Sequence, residues 1–198
     1  MTQQLEKEAC QFQGRSPSCV IDGLQRKLLI PDEAWEEAHQ ICCGATRSRL
    51  LPSRPQKTVA GASVYAACRE FNVPVSIRDV ATAVGEDRVE LGRSYKVLLG
   101  RIGMTPPPPN LTRFALKVAS VLGVSPGATA LALRIEREAI NGGVENRMPM
   151  TIAAASVYLS CLSTGEVVTQ SDVADAAGVS VVSVRECSRA MRGLVSLS

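Results

Sequence analysis

Shifted by 93 positions, the sequence meets itself. VAGASVYAAC, beginning at Val59, aligns with IAAASVYLSC, beginning at Ile152, and the alignment runs without a gap to Leu98 and Met191. Identical pairs include Tyr65 and Tyr158, Cys68 and Cys161, Asp79 and Asp172, Val80 and Val173, Ala81 and Ala174, and Gly85 and Gly178. Duplication on this scale means one structural plan used twice, so the chain is expected to fold into two like units. A period of 93 exceeds the roughly 20–50 residues of a stacked solenoid repeat, and each copy should therefore own a core.

The apolar periodicity is helical. Ala60, Val64, Ala67, Cys68 and Phe71 predict one buried stripe of an amphipathic helix, and Ala153, Val157, Ser160, Cys161 and Thr164 repeat it. Upstream, PDEAWEEAHQICC opens with Pro31 at a first-turn position followed by acids that suit a helix start. Residues 125–140 play the same part in the second copy. Residues 17–28 and 111–122 are expected to open each copy as helices, for about five helices per copy. TPPPPN, residues 105–110, cannot continue a helix and predicts a linker between a first unit at 17–104 and a second at 111–198. Residues 1–16 lack periodicity and are expected to form a disordered N-terminal arm.

Composition narrows the function classes. With 45% hydrophobic but only 4% aromatic residues, the cores must be filled by Ala, Val and Leu. No apolar run reaches the roughly 18 residues that span a bilayer, and MTQQLEKEACQFQ lacks the charged-then-apolar order of a signal peptide, so an intracellular, non-membrane protein is expected. Seven cysteines, an odd number without a CxxC pair, support neither a disulfide framework nor a zinc site, and Cys68 and Cys161 read as small core residues. His39 is the lone histidine, at a surface or half-buried helix position. Without a phosphate loop, a nucleophile elbow or a metal-ligand cluster, the sequence points away from an enzyme and calls for no cofactor.

Each copy closes on the same local signal. Thr169 and Asp172 have the [ST]xx[DE] spacing of a helix-opening cap, and Ala174, Gly178 and Val184 follow at helix-turn-helix spacing. These supply a small residue where two helices touch, a glycine for the sharp turn and an apolar anchor beneath the second helix. Ser76, Asp79, Ala81, Gly85 and Leu91 form the same set in the first copy.

The string VYAACREFNVPVSIRDVATAVGEDRVELGRSYKVLLGRIG, with IAAASVYLSCLSTGEVVTQSDVADAAGVSVVSVREC after the linker, closely resembles the core of transcription factor IIB and its archaeal counterpart, transcription factor B. The similarity begins near Cys19 and continues to the C-terminus. It implies an all-α fold of two tandem five-helix cyclin-like repeats, each ending in a helix-turn-helix. It also implies a monomer that clamps TATA-binding protein on bent promoter double-stranded DNA, with the second repeat reading an upstream recognition element in the major groove.

Carried onto this sequence, the resemblance makes residues 180–191 the recognition helix, with Val182 and Arg185 at base edges. An arginine can donate two hydrogen bonds to guanine, and a valine can pack on a thymine methyl. Ser180 and Ser183 become contacts to phosphate or base, Arg189 a further DNA contact, and Thr169 and Gln170 phosphate contacts through the cap. GRSYK, residues 92–96, matches the family's basic motif, so Arg93 and Lys96, with Arg78, are candidates to face TATA-binding protein and the flanking DNA.

Three departures shape the expectation. The family's VPR is here Val73, Pro74 and Val75, without the positive charge. Net charge is only +3, so weak binding to naked DNA and reliance on a composite protein–DNA surface are expected. Full-length members start with a zinc ribbon and a linker that enters RNA polymerase, and the cysteine spacing here shows neither, so polymerase contact should be weak or belong to a missing N-terminal region of a fragment or a short paralogue. An archaeal origin, with a cytoplasmic or nucleoid location, is favoured over a eukaryotic nuclear one. The alternative function is a cyclin-like module that activates a kinase.

Overall fold

The computed structural model describes residues 17–144 and 147–193. The expected arm at 1–16 lies outside the described residues. The chain divides into two compact units, Met1–Pro108 and Pro109–Ser198. Among the described residues there are ten α-helices and no strand. The first unit holds α1 Pro17–Leu28, α2 Asp32–Arg47, α3 Gln56–Glu70, α4 Ile77–Val84 and α5 Arg88–Ile102. The second holds α6 Leu111–Leu122, α7 Pro126–Asn141, α8 Pro149–Thr164, α9 Gln170–Ala177 and α10 Val181–Arg192. No helix among them is long and apolar enough to cross a membrane.

The duplication reaches further upstream than the sequence alignment. α1 and α6 both have 12 residues and α2 and α7 both have 16, each pair offset by 94 positions (17 to 111, 32 to 126). α3 and α8 return to an offset of 93 (56 to 149), so the loop before α8 is one residue shorter. The buried sets of α2 and α7 match at that offset of 94: Ala34 with Ala128, Ala38 with Ala132, Ile41 with Ile135 and Ala45 with Ala139. One pair breaks the rule, Cys42 against Glu136.

In each unit one helix is surrounded by the other four: α3 packs on α1, α2, α4 and α5, and α8 on α6, α7, α9 and α10. This corrects the expected amphipathic stripe. Residues 58–64 of α3 are buried without a break, as are residues 150–157 of α8, so neither helix has a wet face along most of its length. Phe71 and Thr164 depart from the predicted stripe because the helices end there. Phe71 is the C-cap of α3 and exposed, while Thr164 is the exposed last residue of α8 before Gly165 turns the chain at φ 75°. Small residues fill the surrounded helices because four neighbours can approach closely only where Cβ is nearly all there is. Three buried serines inside them hide their hydroxyls by donating back to earlier carbonyls, Ser63 to Val59 and Ser156 to Ile152 at 2.9 Å and Ser160 to Val157 at 2.8 Å.

Gly61 shows how tightly α3 is held. A Cβ there would meet Leu91 Cδ1 at 3.1 Å and the Val84 and Val80 methyls at 3.4 and 3.5 Å. The second unit solves the same contact with the opposite sizes, Ala154 and Val184, both fully buried in one cluster. Gly61→Ala alone is expected to return less than the roughly 1 kcal/mol that helix propensity offers, because the added methyl overpacks against Leu91. Adding Leu91→Val should recover the difference, so that urea titrations of the two single variants and the pair give a favourable coupling. Simple additivity would refute the size exchange.

Two further expectations meet the structure locally. Pro31 is the N-cap of α2 rather than a residue of its first turn, and Asp32 and Glu33 supply the acids of that turn. His39 is half-buried, with Nε2 3.2 Å from Asp22 Oδ1, the oxygen that also accepts from Trp35 Nε1 at 3.1 Å. The pair ties α2 to α1. Cys68 and Cys161 are fully buried, and burial pushes the Cys161 and Cys187 thiols up, away from the reactive thiolate.

Candidate nucleic-acid interface

The last two helices of the second unit are built by their caps. Thr169 accepts from the Asp172 N–H at 3.2 Å while its own N–H donates to Asp172 Oδ2 at 2.8 Å, a reciprocal box that opens α9. Hydrogen bonds from the Thr169 hydroxyl and N–H hold the Asp172 carboxyl below its ordinary range. Gly178, at φ 64° and ψ 34°, turns the chain through the left-handed region, where a side chain would be strained. Ser180 then caps α10 by accepting from the Ser183 N–H at 3.0 Å, and the two hydroxyls lie 2.7 Å apart. Ala174 and Val184 are fully buried, the small contact and the anchor that the turn needs.

These restraints sort the side chains of α10 onto two faces. Val184, Cys187, Ser188 and Met191 face the core. Val182 is 57% exposed, Arg185 and Arg189 are exposed, and half-buried Val181 sits between the two faces. Of the three valines at 181, 182 and 184, the fold thus turns one fully outward. The structure also brings together two residues that the sequence could only name separately: Arg185 Nε donates to Gln170 Oε1 at 3.4 Å. Arg192, which sequence reasoning passed over, is exposed in the last turn. Its signal was the spacing of Arg185, Arg189 and Arg192, four and then three residues, which lays them along one line of a helix.

The first unit repeats the architecture with a different surface. Ser76 and Asp79 make the capping box, Gly85 turns at φ 66°, and Asp87 caps α5 by accepting from the Val89 and Glu90 N–H groups. Arg93 and Lys96 are exposed one turn apart on α5, and Arg78 is exposed in the first turn of α4. The Arg93 side chain is 69% exposed with Nη1 3.7 Å from Glu90 Oε2, and Glu90 also pairs with Arg54. Val75, where the family motif has its arginine, is buried at 4% exposure, so this position supports the core. Among the described residues, no three His, Cys, Asp or Glu side chains are grouped to hold a metal.

Two like units of five helices, each closing in a helix-turn-helix, make this a protein of tandem cyclin-like repeats. The family model described as transcription factor TFIIB repeat matches residues 11–100 and 109–192, and the chain belongs to that family. Transcription initiation factor IIB of Methanopyrus kandleri is 35% identical over 171 residues, covering 83% of this chain and 54% of that relative. The protein of the same name from Pyrococcus furiosus is 33% identical over 168 residues, covering 83% and 56%. That of Methanocaldococcus jannaschii is 33% identical over 166 residues, covering 83% and 25%. The chain thus spans about half the length of the first two relatives and a quarter of the third. All three relatives carry the name transcription initiation factor IIB.

Proposed function

We propose that the chain acts in transcription initiation as a core that joins TATA-binding protein to promoter DNA, with α10 reading an element upstream of the TATA sequence. The observation that carries this reading is the division of α10 into a buried face and an outward line of Val182, Arg185 and Arg189. With its Nε engaged by Gln170, Arg185 keeps two terminal nitrogens to donate side by side to guanine O6 and N7, while Val182 offers an apolar surface to a thymine methyl. Ser180, Ser183, Thr169 and Gln170 cluster at the starts of α9 and α10, where hydroxyls and helix N-termini suit phosphate. Arg93, Lys96 and Arg78 supply positive charge toward TATA-binding protein and the DNA flank. A net charge of +3 fits a factor that shares its binding between two partners rather than gripping DNA alone. Contact of this core with RNA polymerase is weak, and the core works as a monomer.

Arg185→Ala is expected to weaken the complex with TATA-binding protein and DNA by about 1–3 kcal/mol on the matched upstream element and to relax discrimination at one base pair. Arg93→Ala should weaken binding alike on every sequence. Gel-shift titrations at fixed salt on matched and scrambled elements separate the two. Equal losses for Arg185→Ala on both DNAs would remove the base-reading role, and failure of the unaltered chain to form any ternary complex would return the cyclin-like reading.

A further inference from the structure

The first unit has an open groove on its surface. It lies between α2 and the end of α5, with a volume of ≈460 Å³. Ile41 and Ala45 form an apolar floor, Ile102 and Met104 the opposite side, and Glu37 and Gln40 the rim. Gly44 keeps it open: the residue is exposed, and a Cβ there would meet no atom within 4 Å. At the offset of 94, Gln40 and Gly44 correspond to Arg134 and Glu138, whose side chains pair at 3.8 Å across one turn of α7. Floor residues Ile41 and Ala45 are kept as Ile135 and Ala139. Where the second unit carries that charged pair, the first has Gln40 and Gly44, which leave the groove open.

Charge says what would cover it. Glu37 lines the groove, Glu33 and Glu36 stand exposed on neighbouring positions of α2, and none of the three pairs with a described cation. Asp32 and Glu33 favour the start of α2, but Glu36 and Glu37 lie in the second turn, where the helix dipole no longer rewards an acid. Glu33, Glu37, Gln40 and Gly44 follow one line of the helix, so the negative charge continues directly into the open slot.

We propose that this groove docks a basic amphipathic segment of a partner protein, an aliphatic or aromatic side chain seated against Ile41, Ala45 and Ile102, with lysines or arginines facing Glu33, Glu36 and Glu37. Apolar anchoring in a groove supplies affinity, and the acidic rim sets sign and register.

The test uses the whole chain and a labelled model peptide of about four helical turns with leucine on one face and lysine on the other, alongside the same peptide with glutamate for lysine. Fluorescence anisotropy should show the lysine peptide binding, less tightly as salt rises, and the glutamate peptide binding at least about tenfold more weakly. Gly44→Glu, which borrows the residue of the second unit at an open position, should lower the affinity for the lysine peptide about tenfold with unchanged helical content. Glu36→Lys with Glu37→Lys should do the same, and circular dichroism reports that both variants fold. Equal binding of the two peptides, no binding at the highest soluble concentration, or indifference to Gly44→Glu would overturn the proposal. So would concentration-dependent self-association in sedimentation that Gly44→Glu abolishes, since the occupant would then be a second copy of the chain.

Discussion

Leu159→Ala is expected to destabilise the second unit by about 2–5 kcal/mol. Leu159 is fully buried in α8, the helix enclosed by α6, α7, α9 and α10. Its cluster contains Ile135, Ala139, Ile152, Cys187 and Met191, all at or below 1% exposure. Removing the branched end leaves a void that these residues fill poorly. Ala139 has nothing to extend, Ile135 and Ile152 have restricted side-chain torsions, and Met191 is the one flexible filler. A wall of helices on every side also resists collapse. Because whole domains hold only about 5–15 kcal/mol, the variant should bring the unit close to its unfolding threshold. Hydrogen exchange at the α8 amides, followed across a urea series, measures the loss; a cost below about 1 kcal/mol would mean that α8 is less enclosed than the fold implies.

The second large effect concerns Glu136. It is 3% exposed on α7, accepts one hydrogen bond from Thr112 Oγ1 at 3.3 Å, and leaves its other oxygen without a partner. Burial pushes its carboxyl from 4.5 up to about 7, against the opposing pull of the Thr112 hydrogen bond and the Arg137 charge. The folded state therefore binds this proton more tightly than the unfolded one. Stability from this group is complete below about 4.5, falls as pH rises toward 7 and levels off above it. The difference amounts to up to about 3 kcal/mol. Glu136→Gln should flatten the profile and make the second unit more stable than the parent at pH 8, while changing little at pH 5. Chemical denaturation at the two pH values checks it; an unaltered pH dependence would show that the carboxyl is not the group responsible.

Much of this architecture was legible because a duplicated sequence reports its own frame. The alignment located α3 to α5 and α8 to α10, the two capping boxes and both turning glycines, each of which has a local cause in side-chain chemistry. The earlier pair of helices was harder to align because the loop before α8 is a residue shorter and the matching alanines and isoleucines are individually common. Phe71 was misassigned because periodicity extrapolates past a helix end, whereas the chain turns at Asn72 with φ 52°. Glu136 escaped notice for a different reason: a carboxylate in a helical stretch reads as solvent-facing, and only its register against Cys42 shows that it occupies a core position. Residue type named Val182, Arg185 and Gln170, but the Gln170–Arg185 contact required the angle between two helices. The groove was invisible for the same reason, since its walls come from α2 and α5, far apart in the chain.

If α10 reads DNA as proposed, the hydrogen bond from Arg185 to Gln170 has a kinetic consequence for the search along it. A guanidinium tethered at its neck swings through fewer orientations, so less rotational freedom is forfeited when it meets an acceptor, while the tether still yields within thermal motion at 3.4 Å. Such a side chain would sample successive base pairs quickly and settle only where both terminal nitrogens find partners, which places discrimination in the lifetime of the complex rather than in the rate of encounter.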